Sequence, residues 1–192
     1  MIICFSVAYF YDIKRRSGLD MIIKTDRLIL EMLGTKHFPT ACKYMTDTEN
    51  AKMMIFLPCE NDKEVMDYLH KAYMQWENEK PEYLDAAIIL DGIHIGAVSI
   101  EFVNNGKTGE LGWIIDKDYW GNGYTYEAAK AFMEYCREKY NLTHYIAHAD
   151  SENRASIRIM EKLGMTFVSI CGGRKNRISD ETRKEVMYEL FI

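Results

Sequence analysis

The stretch "DKDYWGNGYTYEAAKAF" (residues 116–132) places two glycines, Gly121 and Gly123, between an aromatic pair and a run with helical spacing. The apolar segment before it, residues 108–115, predicts a strand, and residues 123–140 predict a helix. The first turn of a helix leaves about four N–H groups without partners and carries partial positive charge. The loop therefore predicts a phosphate-binding turn, formed by the backbone of Gly121, Asn122, Gly123, Tyr124 and Thr125.

Two common phosphate-binding loops do not fit this stretch. A P-loop requires a lysine after its second glycine, and none is present. A dinucleotide-binding turn requires a third small residue, and Tyr126 stands at that position. The loop has no cation beyond Lys117, so main-chain N–H groups would have to hold the phosphate. Two glycines alone also leave open a turn that binds no ligand.

Strand and helix patterns alternate along the rest of the chain. Further strands are predicted over residues 27–33, 84–90, 93–102, 143–149, 166–171 and 184–192. Further helices are predicted over residues 37–46, from Asp62 to an end set by Pro81, and over residues 151–163. The pair Asp91-Gly92 predicts a hairpin turn, Ser151 the cap of the last helix, and Gly164 the end of that helix. This order predicts a single domain with one mixed α/β layer structure.

Composition narrows the classes of function. Of the 192 residues, 48% are hydrophobic and 28% charged, which is typical of a soluble globular domain. The five cysteines form no Cys-x-x-Cys pair, which indicates a reducing cytosol and no structural zinc. A net charge of −5 argues against a nucleic-acid partner and favours a cationic acceptor.

Residues 1–20 are set apart from the domain expected over residues 21–192. Their apolar run precedes its positive charges, the reverse of a signal peptide, and falls short of the roughly 20 residues needed to cross a bilayer. No membrane association is expected. Three interpretations stay open: an extra strand, a loose N-terminal extension, or translation from a start codon upstream of the native one.

Two motifs together resemble one protein family. "GELGWIIDKDYWGNGYTYEAAKAF" and "ADSENRASIRIMEKLGMTFV", in this order, resemble the GNAT superfamily of acyl-CoA-dependent N-acyltransferases, above all the branch of Rim-type ribosomal-protein N-terminal acetyltransferases. The likeness runs from about residue 25 to the C-terminus. It implies an α/β GNAT fold: a central twisted mixed sheet with one splayed strand pair and helices on both faces.

The resemblance also implies roles for the coenzyme-binding residues. The glycine turn would hold the pyrophosphate of coenzyme A. The pantetheine arm would lie in the gap between the splayed strands, bonded to the backbone of Ile114 and Ile115, which would also polarise the thioester oxygen. Asn153 would bond the pantetheine or the strand edge. Asp118 stands where relatives often carry Arg or Gln, so its side chain is expected to point away from the phosphates.

Two catalytic residues follow from the same resemblance and from the chemistry of amines. Ser156 could donate a hydrogen bond to the departing thiolate; many relatives use a tyrosine on this helix, and none is present here. An ammonium acceptor must lose a proton before it attacks, and Glu110 is the first candidate for the base. An ordinary helix serine and a solvated strand glutamate remain the alternatives.

The expected reaction is transfer of an acetyl group from acetyl-CoA to a primary amine, a small molecule or a peptide N-terminus, by direct attack in a ternary complex. No metal is expected, because His144 and His148 would lie roughly 13 Å apart along a strand. A non-catalytic acyl-CoA sensor and a domain for ordinary nucleotides remain alternatives. The protein is expected to be cytoplasmic, and monomeric or homodimeric.

In the family, the acceptor is selected by the segment that corresponds to residues 45–61 and by the last hairpin loop. The basic run "GGRKNR", residues 172–177, lies in that loop region. It is interpreted as a solvated loop, with contact to the ribose phosphate of the coenzyme or to the acceptor as the alternative.

Overall fold

The computed structural model describes residues 21–192, and the interpretations of residues 1–20 lie outside that range. It contains eight strands: β1 (Ile22–Lys24), β2 (Leu28–Met32), β3 (Tyr83–Leu90), β4 (Ile93–Val103), β5 (Thr108–Ile115), β6 (His144–Asp150), β7 (Thr166–Arg174) and β8 (Arg183–Phe191). The helices of the described part are α1 (Phe38–Met45), α2 (Thr48–Ala51), α3 (Asp62–Trp76), α4 (Tyr124–Tyr140) and α5 (Arg154–Lys162). None of these helices has the length and apolar character that crossing a bilayer requires.

The strands form one mixed sheet with the order β1-β2-β3-β4-β5-β6-β8-β7. Adjacent strands of this sheet run antiparallel, except for β5 and β6. These two strands run parallel and are connected through α4. Helices α4 and α5 pack on one face, and α1 and α3 pack on the other. Ala86 and Ala87, adjacent in β3, belong to the two different cores, as the alternation of side chains along a strand requires. The predicted α/β sheet with helices on both faces is confirmed.

The parallel pair β5 and β6 opens like a fork. The strands are paired at Thr108 with His144, Gly109 with Tyr145, and Glu110 with Ile146. Beyond those three residue pairs, β5 continues to Ile115 and β6 continues to Asp150, but the two strands no longer pair with each other. The splayed strand pair that the family resemblance implied is therefore present.

Local signals predicted most boundaries. Asp91 and Gly92 both have positive φ, 49° and 79°, as a tight hairpin turn requires. The prediction for the last helix was wrong at its start, because Asn153 rather than Ser151 is its cap: the Asn153 side chain accepts a hydrogen bond from the N–H of Ser156. Strand β1 and the short helix α2 were not predicted. Both are too short for a periodic pattern to show.

Candidate active site

A cleft of about 540 Å³ lies beside the end of β5 that is not paired with β6. It is bordered by the end of β5, the glycine turn, α5 and the segment that contains α2. Most of the predicted site residues line it: Ile114, Ile115, Gly121, Gly123, Tyr124, Thr125, Asn153 and Ser156. Asn122 and Glu110 are not among its lining residues. The tertiary structure therefore joins two motifs that lie about thirty residues apart in the sequence.

The glycine turn has the backbone geometry of an anion site. Gly121 and Gly123 have φ values of +81° and +80°, a region that side chains of L-residues rarely adopt. Gly123 is the N-cap of α4, and no side chain caps the helix there. The first intrahelical bond runs from Glu127 N–H to the Gly123 carbonyl. The N–H groups of the turn before Glu127 therefore point out of the helix without a capping side chain.

The charges around this turn differ from the sequence interpretation. Lys117, expected to be the loop's cation, instead forms ion pairs with Asp47 at 2.7 Å and Glu49 at 3.0 Å. The cation that does contact the turn is Arg27, which donates to the Asn122 carbonyl at 3.0 Å and lies over the Tyr124 ring at 4.6 Å. No local pattern indicated Arg27, because it comes from the start of β2, about 95 residues earlier in the chain.

Two acidic residues near the turn are held by cations. Arg27 also pairs with Glu127 in the first turn of α4. Burial alone would raise the pKa of Glu127, but hydrogen bonds from Thr25 and Arg27 lower it. Asp118 forms an ion pair with Lys43 of α1 at 2.6 Å, so the carboxylate of Asp118 points towards α1. The carboxylates beside the turn are thus engaged within the protein.

The end of β5 is held by side chains from outside the sheet. The Ile115 carbonyl accepts hydrogen bonds from Trp120 Nε1 at 3.0 Å and from Asn50 Nδ2 at 3.2 Å. The Ile114 carbonyl lies so close to Gly96 of β4 that a Cβ on that glycine would be 2.3 Å away. The Ile115 carbonyl is therefore engaged, and the predicted contact of Ile115 with the pantetheine would rest on its N–H group.

Helix α5 approaches β5 through one hydrogen bond. Trp113 Nε1 donates to Ser156 Oγ at 3.2 Å across the fork. A hydroxyl that accepts one bond keeps its own hydrogen to donate. The side-chain oxygen of Asn153, Oδ1, caps the helix. This leaves the NH₂ group of the same side chain for another partner. The roles of Ser156 and Asn153 stay predictions, and their positions on the cleft are compatible with them.

Glu110 has a partner that the sequence did not indicate. Its Oε1 lies 2.9 Å from His148 Nδ1, and Glu110 is the last residue of β5 that is paired with β6. The hydrogen bond to Glu110 raises the pKa of His148, against the effect of burial. Glu110 points to the face that carries α1 and α3, because Ile114, four residues along, packs there. His148 was weighed in the sequence as a metal ligand only, and a strand histidine gives no local signal for a carboxylate partner.

The other strand histidine has different partners. His144 Nδ1 lies 3.0 Å from Thr108 Oγ1, and its Nε2 lies 3.2 Å from Glu189. Within residues 21–192, no group of three or more His, Cys, Asp or Glu side chains is arranged to hold a metal ion. The two histidines thus belong to separate hydrogen-bond groups.

The two segments expected to select the acceptor contact each other. Arg177 in the β7–β8 loop donates to the Phe56 carbonyl at 2.9 Å, and Arg174 donates to the Met53 carbonyl at 3.0 Å. Phe56 leaves 81% of its surface exposed. Arg174 and Glu185 also form an ion pair close enough to His148 to influence its pKa. We call this surface, residues 53–58 with the β7–β8 hairpin, the acceptor wall.

The family model described as "Acetyltransferase (GNAT) domain" matches residues 27–166. The chain is 26% identical to the "Uncharacterized N-acetyltransferase YnaD" of Bacillus subtilis (strain 168), over 88% of this chain and 98% of YnaD. Among solved structures, it resembles RimL, the ribosomal L7/L12 alpha-N-protein acetyltransferase in complex with coenzyme A, with a TM-score of 0.81, 14% identity, and coverage of 90% and 98% of the two chains. It also resembles the microcin C7 self-immunity acetyltransferase MccE in complex with acetyl-CoA and AMP, with a TM-score of 0.77, 15% identity, and coverage of 88% and 94%.

These comparisons confirm the family resemblance seen in the two motifs. At 14–15% identity the two solved structures support the fold alone, whereas the family match covers most of the chain. The forked strand pair and the glycine turn occupy the part of the chain that the family match spans. The chain belongs to the GNAT acetyltransferase family and is an acyl-CoA-dependent N-acetyltransferase.

Proposed function

We propose that this protein transfers the acetyl group of acetyl-CoA to a primary amine by direct attack in a ternary complex. The observation that carries the proposal is the fork in the sheet, which opens beside an uncapped helix start with two left-handed glycines. Acetyl-CoA, when bound, supplies the thioester. The chain binds its pyrophosphate with the N–H groups of residues 121–125 and borders its pantetheine with Ile114, Ile115 and Asn153.

The Glu110–His148 pair removes the proton from the acceptor ammonium. Glu110 attracts the positive charge, and neutral His148 supplies the basic site, so the two groups take up one proton as a unit. The amine nitrogen then forms a bond to the thioester carbonyl carbon while the carbon–sulfur bond breaks. Ser156 donates a hydrogen bond to the departing thiolate, which takes up the remaining proton of the attacking nitrogen to leave as coenzyme A thiol, and Trp113 holds the serine oxygen in place.

The acceptor approaches from the face opposite α4 and α5. Glu110 lies on that face, and the acceptor wall lies beside it. The acceptor wall contributes the exposed apolar side chain of Phe56, and Glu110 and Glu185 contribute carboxylates, a combination that suits an amine with an apolar body. The acceptor class proposed is therefore a small amine or a peptide N-terminus in the cytoplasm.

The test is release of coenzyme A thiol from acetyl-CoA in the presence of two amine panels, one of small amines and one of peptides with free N-termini. Acetylation of members of either panel, verified by mass spectrometry of the product, supports the proposal and identifies the acceptor class. Tight binding of acetyl-CoA without thiol release on any amine would instead favour a coenzyme sensor. A double-displacement pattern of initial rates would contradict direct attack.

A further inference from the structure

A stripe of cations runs along α5. Arg154, Arg158 and Lys162 recur every four residues, so they lie above one another on one side of the helix. All three are exposed and line the cleft. The buried side of the helix carries Ile157 and Met160, which pack into the core. We call the three residues the α5 stripe.

The charge of the α5 stripe is not neutralised within the described residues. None of the three side chains forms an ion pair in residues 21–192. The acidic residues that line the same cleft, Glu49 and Glu152, are already paired with Lys117 and Arg183. The cleft is therefore positively charged along α5, and Lys52 adds a further cation from its other side.

The glycine turn accounts for only part of the negative charge of coenzyme A. The turn offers N–H groups to one pyrophosphate, whereas coenzyme A carries an additional phosphate on the 3′ oxygen of its ribose. The two arginines of the basic run that the sequence suggested for that phosphate are engaged elsewhere. Arg174 pairs with Glu185, and Arg177 pairs with Glu60 and Glu64. Within residues 21–192, the α5 stripe therefore provides three of the cations that line the cleft without an ion-pair partner, and Lys52 is another.

We infer that the α5 stripe binds the 3′-phosphate of coenzyme A and makes the enzyme select the 3′-phosphorylated coenzyme over its dephospho form. The inference rests on the proposed coenzyme site. Arginine suits the role because its planar guanidinium donates two parallel hydrogen bonds to phosphate oxygens. Exposed side chains along a helix can also adjust to the ligand at little structural cost.

The experiment is calorimetric titration of the full chain with coenzyme A and with 3′-dephospho-coenzyme A. The wild type is expected to bind coenzyme A about tenfold more tightly, which is the effect of roughly one charge-assisted hydrogen bond. In the double variant Arg158→Gln with Lys162→Gln, affinity for coenzyme A falls to near that of the dephospho form. Affinity for the dephospho form stays nearly constant, and raised salt reduces the preference of the wild type.

The matched control is Lys130→Gln with Arg137→Gln, which removes two exposed cations of α4 that do not line the cleft. This variant should keep the preference, and thermal unfolding should show that both variants remain folded. Equal affinity of the wild type for the two ligands, or an equal loss for both in the α5 variant, would overturn the inference while leaving the proposed function intact. Failure of both ligands to bind the wild type would overturn the two together.

Discussion

The β7–β8 hairpin and helix α5 both carry cations close to the fork, but within residues 21–192 only the hairpin has three arginines that form ion pairs. In the hairpin, Arg174, Arg177 and Arg183 contact Glu185, Glu60, Glu64 and Asp150. In α5, the cations have no ion-pair partner within residues 21–192. Paired charges fix the position of a protein segment, whereas unpaired charges at a cleft remain available to a ligand. On the proposed acceptor side the charged side chains hold one another, whereas on the proposed coenzyme side the cations of α5 have no such partners within residues 21–192.

The largest expected effect lies on the acceptor side and concerns the rate. Glu110→Gln removes the carboxylate that attracts the ammonium and pairs with His148, so kcat should fall about a thousandfold, as for the loss of a general base. Coenzyme affinity, measured by calorimetry, should change little. The control is Glu101→Gln, because Glu101 is the exposed β4 neighbour of Glu110 in the sheet. Equal losses in the two variants would remove the special role of Glu110.

The second prediction concerns the stability of the acceptor side. The Asp150 side chain is fully buried and accepts hydrogen bonds from Arg183 and Asn176, which tie the hairpin to β6. Asp150→Ala should lower the free energy of unfolding by about 3 kcal/mol, because hydrogen bonds to a buried charge are lost and Arg183 loses a partner. Urea unfolding measures the change. The control on α5 is Glu161→Ala, which removes an exposed acid and should leave the urea midpoint of unfolding nearly unchanged. An equal loss of stability in this control would contradict the special contribution of Asp150.

A smaller effect is expected for the glycine turn on the coenzyme side. Gly123→Ala places a side chain at a φ of +80°, which should cost about 1–2 kcal/mol and shift the N–H groups that face the phosphate. Both the melting temperature and the affinity for coenzyme A should fall. Gly172→Ala in the hairpin is the matched control, since its φ is not positive and no heavy atom lies within 4 Å of the added Cβ. An unchanged coenzyme affinity in Gly123→Ala would argue against the turn as the phosphate site.

The smallest expected effect is a dependence of stability on pH. The pKa of His148 is raised above its ordinary value of 6.5 by Glu110, so the paired, protonated form stabilises the folded state below pH 6.5. That contribution is lost as the pH rises through the raised pKa. Because the pair is partly exposed, it should amount to less than about 1 kcal/mol. Wild type and His148→Gln should therefore differ more in unfolding free energy at pH 5.5 than at pH 9, and the reverse order would contradict the pairing.

Local chemistry explains why much of the fold was predictable. Gly164 ends α5 with a φ of +85°, and Met165 N–H bonds back to the Met160 carbonyl, as the Gly-Met pair after an apolar helix indicated. Asp91-Gly92 formed the expected hairpin turn. Such features depend on a few neighbouring residues, so their patterns are visible in the sequence. The cap of α5 was misplaced by two residues because Ser151 and Asn153 are both good caps, and only the packing of the helix distinguishes them.

The sequence by itself determined the glycine turn, the order of the longer strands and helices, and the two motifs that mark the GNAT family. The tertiary structure alone decided which charges meet. Arg27 reaches the turn from beside β2, Glu110 and His148 meet between β5 and β6, and Arg177 of the hairpin pairs with acids more than a hundred residues away. The α5 stripe has no ion-pair partner within residues 21–192. The physical reason is range: backbone conformation is set by neighbours along the chain, but the partner of a charged side chain is set by the packing of distant segments.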